Sequence, residues 1–275
     1  MINSFTVDVE EWFHLCGVGG PLAEDRWTSL PSRVESNTAV LLDMLAARGI
    51  SATFFVVGWV AERHPHLVER IRAAGHEIGS HSYMHRRVYE LTAEEFAADL
   101  DRSLSILEPL AGTVRGFRAP EWSINDRSSW ALEVLASRGI VFDSSMAPVR
   151  VIGNPAYPQH PHVRHTSRGD LWECPPMVDR WLGQNVPLGG GWALRMSRPA
   201  AVAREIERRN RAGTPVTLYV HPWELDDDPP RVRLPLSLHF VHYFRLSGFR
   251  RRLGEILDAV AFGPMSRVLA QQGKA

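Results

Sequence analysis

Short runs of β-branched and aromatic residues alternate with longer amphipathic stretches about seven times along the chain. The runs at Phe5 to Val9, Ala52 to Val57, Glu77 to Ser80, Val114 to Arg118, Val141 to Asp143, Leu171 to Cys174 and Val216 to His221 predict strands. Between the first two, Val34 to Ala47 sets Val34, Thr38, Leu41, Leu42 and Leu45 at the spacing of one buried helical face and ends in Arg48-Gly49, a C-cap pattern. A second helix is predicted over Trp59 to Ala74. Thr92-Ala93-Glu94-Glu95 reads as a capping box that opens a third, running to about Leu107. Asn125 or Asp126 is the predicted cap of a fourth that runs to Arg138-Gly139. This alternation predicts a mostly parallel sheet with helices outside it. An open doubly wound sheet fits the alternation too. A seven-stranded (β/α) barrel is favoured because polar groups follow strands one, three, four, five and seven, and a closed barrel gathers all five on one mouth.

The alternation fails between Ala147 and Pro199, where eight prolines, Gly189-Gly190-Gly191 and His160, His162 and His165 predict long loops around one short strand, shaping a cleft over the mouth. After a polar loop at Asp226 to Pro235, Phe249, Leu253, Ile256, Leu257 and Val260 mark one side of an amphipathic helix. Its Arg250, Arg251 and Arg252 face either solvent or an anionic membrane or glycan.

The chain has 275 residues, 44% of them hydrophobic, enough for one large core. Thirty-one Lys plus Arg balance thirty-one Asp plus Glu, so charge offers no argument for nucleic acid as a partner. The start, Met1-Ile2-Asn3-Ser4-Phe5, lacks the pattern of a secretory signal, which points to a cytoplasmic location. No apolar run reaches the roughly 18 to 20 residues needed to span a bilayer; peripheral contact stays open. Cys16 and Cys174 cannot form a disulfide framework and read as buried thiols.

Candidate chemistry starts with His81 and His85, which share one side if the chain turns helically after its strand, a common geometry for paired metal ligands. His76 precedes the strand and reads as structural. Asp8 and Glu10 point the same way from an extended strand, so one can complete a His-His-carboxylate site while the other serves as a base. Glu11 should point away and is the alternative ligand if a bulge shifts the register. His221 closes an apolar run, where a general acid would suit or a core histidine would sit. Arg118 suits a bidentate carboxylate contact or an ordinary surface position, and Asp143 either orients His221 or accepts a turn amide.

The set Thr6-Val7-Asp8-Val9-Glu10, His81 to His85, Arg118-Ala119-Pro120, Asp143-Ser144-Ser145 and Leu218-Tyr219-Val220-His221 resembles the ordered motifs of the polysaccharide deacetylases, carbohydrate esterase family four, also called NodB-homology proteins. Gly189-Gly190-Gly191-Trp192 and His221-Pro222-Trp223-Glu224-Leu225-Asp226 further resemble the branch found with bacterial exopolysaccharide and exosortase loci, which carries a C-terminal extension. The resemblance implies a distorted seven-stranded barrel over residues 1–225, with an extension at 226–275 packed on it. It implies hydrolysis of an N-acetyl group from an amino sugar of an N-acetylated glycan, with a divalent metal, usually Zn2+. Carried over residue by residue, Glu10, His81 and His85 are the metal ligands, Asp8 is the base, His221 is the acid, and Arg118 and Asp143 orient the pair. A backbone amide near Tyr83 or Arg118 would help stabilise the oxyanion. The sequence departs from the family in two places: the second acid is Glu10, one position later than usual, and Glu121-Trp122 follows Pro120 where an aromatic residue normally comes first.

Three other readings compete. One is a metal amidohydrolase on a small non-sugar amide or ureide, like the allantoinase-like members of the superfamily; several of the nine tryptophans near the mouth weigh toward sugars instead. Another is a glycosidase pairing Asp8 or Glu10 with Glu121, which leaves both histidines unexplained. The third is a non-catalytic glycan-binding protein.

Overall fold

The computed structural model describes residues 1–273. All seven predicted strands are present: β1 (Asn3–Val9), β2 (Thr53–Val56), β3 (Glu77–Ser80), β4 (Gly116–Phe117), β5 (Phe142–Asp143), β7 (Gly169–Glu173) and β10 (Thr217–Val220). They line up in parallel in the order β10-β1-β2-β3-β4-β5-β7, and β6 (His162–Thr166) adds antiparallel to β7 at the edge. β1 and β2 are buried on both faces, as parallel strands covered by helices require.

The two ends of this curled sheet are not paired with each other among the described residues, so the expected barrel is open. The gap between β7 and β10 is spanned by irregular chain: Met177 N–H donates to Thr217 O at 3.0 Å and Tyr219 N–H to Gly189 O at 2.8 Å. The glycine run makes this approach possible. A Cβ on Gly190 would lie 2.2 Å from Tyr219 O, far inside van der Waals contact.

The segment from Ala147 to Pro199 holds more regular structure than its prolines predict. Besides β6 and β7 it forms a separate hairpin, β8 (Val178–Trp181) with β9 (Gln184–Pro187), and helix α6 (Gly191–Met196). Two other expectations are revised. The predicted Trp59–Ala74 helix is two, α2 (Gly58–Arg63) and α3 (Pro65–Ala73), because Pro65 has no N–H to continue the first. The next helix, α5 (Ala131–Ser137), starts late: Asn125 closes a turn onto Arg127 N–H instead of capping a helix, and Asp126 accepts from Tyr157 and Asn154. α1 (Val34–Ala46) and α4 (Ala93–Ala111) form as predicted, α4 with the Thr92–Glu95 capping box and a run four residues longer than expected.

Beyond β10, α8 (Leu236–Tyr243) lies near the mouth. α9 (Phe249–Ala259) buries Phe249, Leu253, Ile256 and Leu257 and packs on α7 (Pro199–Arg211). A last strand, β11 (Phe262–Gly263), pairs with β1, and α10 (Met265–Ala270) follows it against the sheet. No described helix is long and apolar enough to cross a membrane.

Candidate active site

Parallel strands send their C-terminal ends to one side, and there Asp8, Glu10, His81, His85 and His221 line a single cleft of about 430 Å³ with Trp192, Tyr219 and Trp223. Glu10, His81 and His85 are all buried, and one ligand-type atom from each lies within 4.8 Å of the others. Glu10 Oε2 is 2.6 Å from His85 Nε2 and 3.6 Å from His81 Nε2. Two imidazoles and one carboxylate facing each other is a donor set that could hold a divalent cation. His81 Nδ1 is 2.7 Å from Arg118 O, which fixes the tautomer that leaves Nε2 as the free donor.

The histidine spacing works for a different reason from the one expected. Residues 81–85 form no helix; Ser82 (φ 63°) and His85 (φ 53°) take left-handed conformations in a tight loop. Asp99 of α4 holds that loop by accepting from Tyr83 N–H (2.6 Å) and Met84 N–H (3.0 Å), and Ser82 Oγ accepts from His85 N–H. The Tyr83 amide is therefore engaged and the Arg118 amide donates to Ser80 O at 3.0 Å, so an oxyanion would need another amide nearby.

Glu11 points away, as the strand alternation requires. Its carboxylate accepts from Arg33 N–H, Val34 N–H and the Ser32 hydroxyl, tying down the start of α1. Glu10 is the acid that faces the histidines. Burial raises the Glu10 pKa, but His85, His221 and His81 outweigh it and hold the carboxyl well below its ordinary range. Burial likewise depresses His85, but Glu10 and then Cys16 carry it well above an ordinary histidine. Such mutual charging is what a cation between these groups would replace.

Arg118 is fully buried, not a surface residue. Its Nη1 donates to Asp8 Oδ1 (2.6 Å) and Thr6 Oγ1 (2.8 Å), its Nε to Ser144 O and its Nη2 to Ser144 Oγ, while the guanidinium lies between the rings of Phe55 and Trp122. The displaced aromatic of the Pro120 motif thus covers Arg118. Glu121, its neighbour, also lines the cleft and pairs with Arg87 at 2.6 Å.

His221 presents Nε2 at 3.9 Å from both Asp8 Oδ2 and Glu10 Oε1. Its Nδ1 is 3.0 Å from Glu224 Oε2, so Glu224, and not Asp143, orients the ring. Burial depresses His221, but Glu10, Glu224 and Asp8 push it up to about 9. Asp143 is not among the residues lining the cleft: it accepts from Ser145 Oγ, which itself accepts Ala119 N–H, and the Arg118 charge is near enough to favour its ionised form. The second oxygen of Asp143 faces Glu173, and burial drives both carboxyls up, Asp143 to about 6.

Several residues escaped sequence reasoning. Glu224 completes a buried chain in which Arg195 Nε lies 2.8 Å from Glu224 Oε1. Trp223 Nε1–H donates to Glu10 Oε1 at 3.0 Å, and its ring stacks between His221 and His242. His14 stacks on His85, and burial holds its pKa well below the ordinary value. Cys16 is only partly buried and sits 3.5 Å from His85 Nδ1, whereas Cys174 is fully buried. His76 is structural, accepting Ala52 N–H. Glu224 three residues after His221, the reach of one turn, was the one signal legible in the sequence.

A polysaccharide deacetylase family model matches residues 25–140, and a model described as a domain of unknown function, DUF3473, matches residues 144–270. The polysaccharide deacetylase match takes in His81, His85 and Arg118 and makes residues 25–140 similar to the polysaccharide deacetylases. Among curated proteins, the chain is similar to a peptidoglycan-N-acetylglucosamine deacetylase of Bacillus cereus, 34% identical over 98 residues, which cover 35% of this chain and 36% of that protein. A chitooligosaccharide deacetylase of Azorhizobium caulinodans is 28% identical over 102 residues, 36% of this chain and 46% of that protein. The chain thus spans less than half the length of these relatives. The crystal structure of a Mycobacterium smegmatis protein, provisionally assigned as a polysaccharide deacetylase, shares the fold with a TM-score of 0.64 at 24% identity, covering 98% of this chain and 90% of that one.

Proposed function

We propose that this protein is a metal-dependent hydrolase that removes N-acetyl groups from the amino sugars of a poly- or oligosaccharide, in the exopolysaccharide branch of the family. The observation that carries the reading is the convergence at His221 Nε2, 3.9 Å from Asp8 on one side and Glu10 on the other, beside the Glu10, His81 and His85 donors.

Glu10, His81 and His85 would hold the cation, for which zinc is the natural candidate; when bound it would supply Lewis-acid polarisation of the acyl oxygen and acidify water. Asp8, with Oδ1 fixed by Arg118, takes the proton of the attacking water on Oδ2. His221, protonated at Nε2 and oriented through Nδ1 by Glu224, delivers a proton to the departing sugar nitrogen. Trp192 at the cleft wall, partly exposed, offers a flat face to a sugar ring. Acetate and a free amine are the products.

The test is acetate release from N-acetylglucosamine oligomers by the purified protein, with and without chelator and zinc, together with its metal content. Chelator-sensitive release restored by zinc is the expected result. Bound metal with no acetate would shift the reading to a small non-sugar amide. No metal uptake after loading would sink Glu10, His81 and His85 as a site.

A further inference from the structure

Helix α8 has two unlike faces. Leu238, Val241 and His242 line the cleft. Leu236, Phe240 and Phe244, at i, i+4 and i+8, fall on the opposite side. Leu236 is 90% exposed, while Phe240 and Phe244 stack at 4.4 Å and remain 42% and 37% exposed. Buried packing does not account for this stripe. The helix is nonetheless firmly seated: Arg195 donates to the carbonyls of Val241, His242 and Phe244, and His242 stacks on Trp223 at 4.4 Å.

Charge around the stripe is one-sided. Residues 231–252 carry Arg231, Arg233, Arg245, Arg250, Arg251 and Arg252 and no acidic residue, in a chain whose charges balance overall; Arg251 pairs with Glu255 of α9. Arg231 and Arg233 just before α8 and Arg245 just after it are exposed. α9 is not the apolar element here, because its own apolar face is buried against α7.

We infer that α8 docks on an anionic phospholipid bilayer, with Leu236, Phe240 and Phe244 entering the interface and the flanking arginines meeting lipid phosphates. An exposed apolar stripe framed by arginines is the composition of an interfacial helix. A second copy of the chain on the same face would set arginines against arginines, which disfavours self-association. Because the opposite side of α8 forms the cleft wall, docking holds the mouth at the membrane surface, within reach of a glycan carried on a membrane lipid. That last step rests on the deacetylase reading; the docking itself does not.

The test is sedimentation of the full chain with vesicles of phosphatidylcholine alone and of phosphatidylcholine with roughly equimolar phosphatidylglycerol, at low and high salt. The expected result is binding to the phosphatidylglycerol vesicles only, weakened by salt, and about tenfold weaker in a Leu236→Ser/Phe240→Ser variant. A second variant, Arg233→Ser/Arg245→Ser, leaves the apolar stripe and the fold intact and should lose the phosphatidylglycerol preference. Equal binding by parent and both variants, no binding to either vesicle, or a dimer in light scattering that the Phe240 substitution dissolves would each overturn the inference. None of these readouts depends on metal or turnover, so failure of the catalytic reading would be seen separately.

Discussion

Glu224 Oε2 lies 3.0 Å from His221 Nδ1 and also accepts the backbone N–H of His221, so one buried carboxylate both orients the ring and holds its charge. Glu224 is in turn pinned by Arg195, the residue that seats α8. The likeness in role to the acid partner of a catalytic triad lies in geometry, not in sequence position.

Replacing that carboxylate should lower the His221 pKa. A raised histidine contributes stability that is fully present below its unfolded value near 6.5 and is lost as pH rises through about 9. In Glu224→Gln the alkaline limb of kcat/KM should therefore move to lower pH, with kcat reduced roughly 10²-fold. A pH–rate profile of both proteins is the check; an unmoved limb would remove Glu224 from the acid's support.

Arg118 grips Asp8, Thr6 and Ser144 with three different nitrogens, a geometry no ammonium can copy. Arg118→Lys should lower kcat by roughly 10²-fold while leaving the bound metal in place. Turnover measured beside metal content separates this from collapse of the donor cluster.

Trp223 Nε1–H donates to Glu10 Oε1, whereas His81 and His85 face Oε2. Trp223→Phe keeps an aromatic ring between His221 and His242 and removes that bond. Metal affinity, read by competition with a chromogenic chelator, should fall about tenfold.

Asp143 and Glu173 are a buried carboxyl pair with both pKa values raised, first by burial. Between the unfolded value near 4 and the folded value of about 6 the native protein holds more protons than the unfolded chain, so stability falls as pH rises through that window. Glu173→Gln should flatten this fall and stabilise the protein by about 1 to 2 kcal/mol at pH 7. Urea midpoints from pH 4 to pH 8 would show parallel curves if the pair carried no such strain.

Gly190→Ala forces a Cβ against Tyr219 O across the open side of the sheet. About 2 kcal/mol of stability should be lost. An unchanged denaturation midpoint would mean that this bridge is not rigid.

The seven strands, the α1 face and the Thr92 capping box were legible because each rests on local spacing and local hydrogen bonds. Asp8, Glu10, His81, His85 and His221 were legible for a related reason: each sits in or just after a strand, and parallel strands deliver their ends to one side. Whether the sheet closes was not readable, because closure depends on how the chain from Met177 to Gly189 meets β10. Nor was the role of Asp143. Its spacing relative to His221 says nothing of direction, and its carboxylate turns to Ser145 while Glu224 takes the histidine. Local periodicity thus determined the elements, and polar residues placed at strand ends marked the candidate groups. Which polar atoms pair, which arginine is buried and which face of α8 stays exposed were decided only in the tertiary structure, because those depend on neighbours brought together from distant parts of the chain.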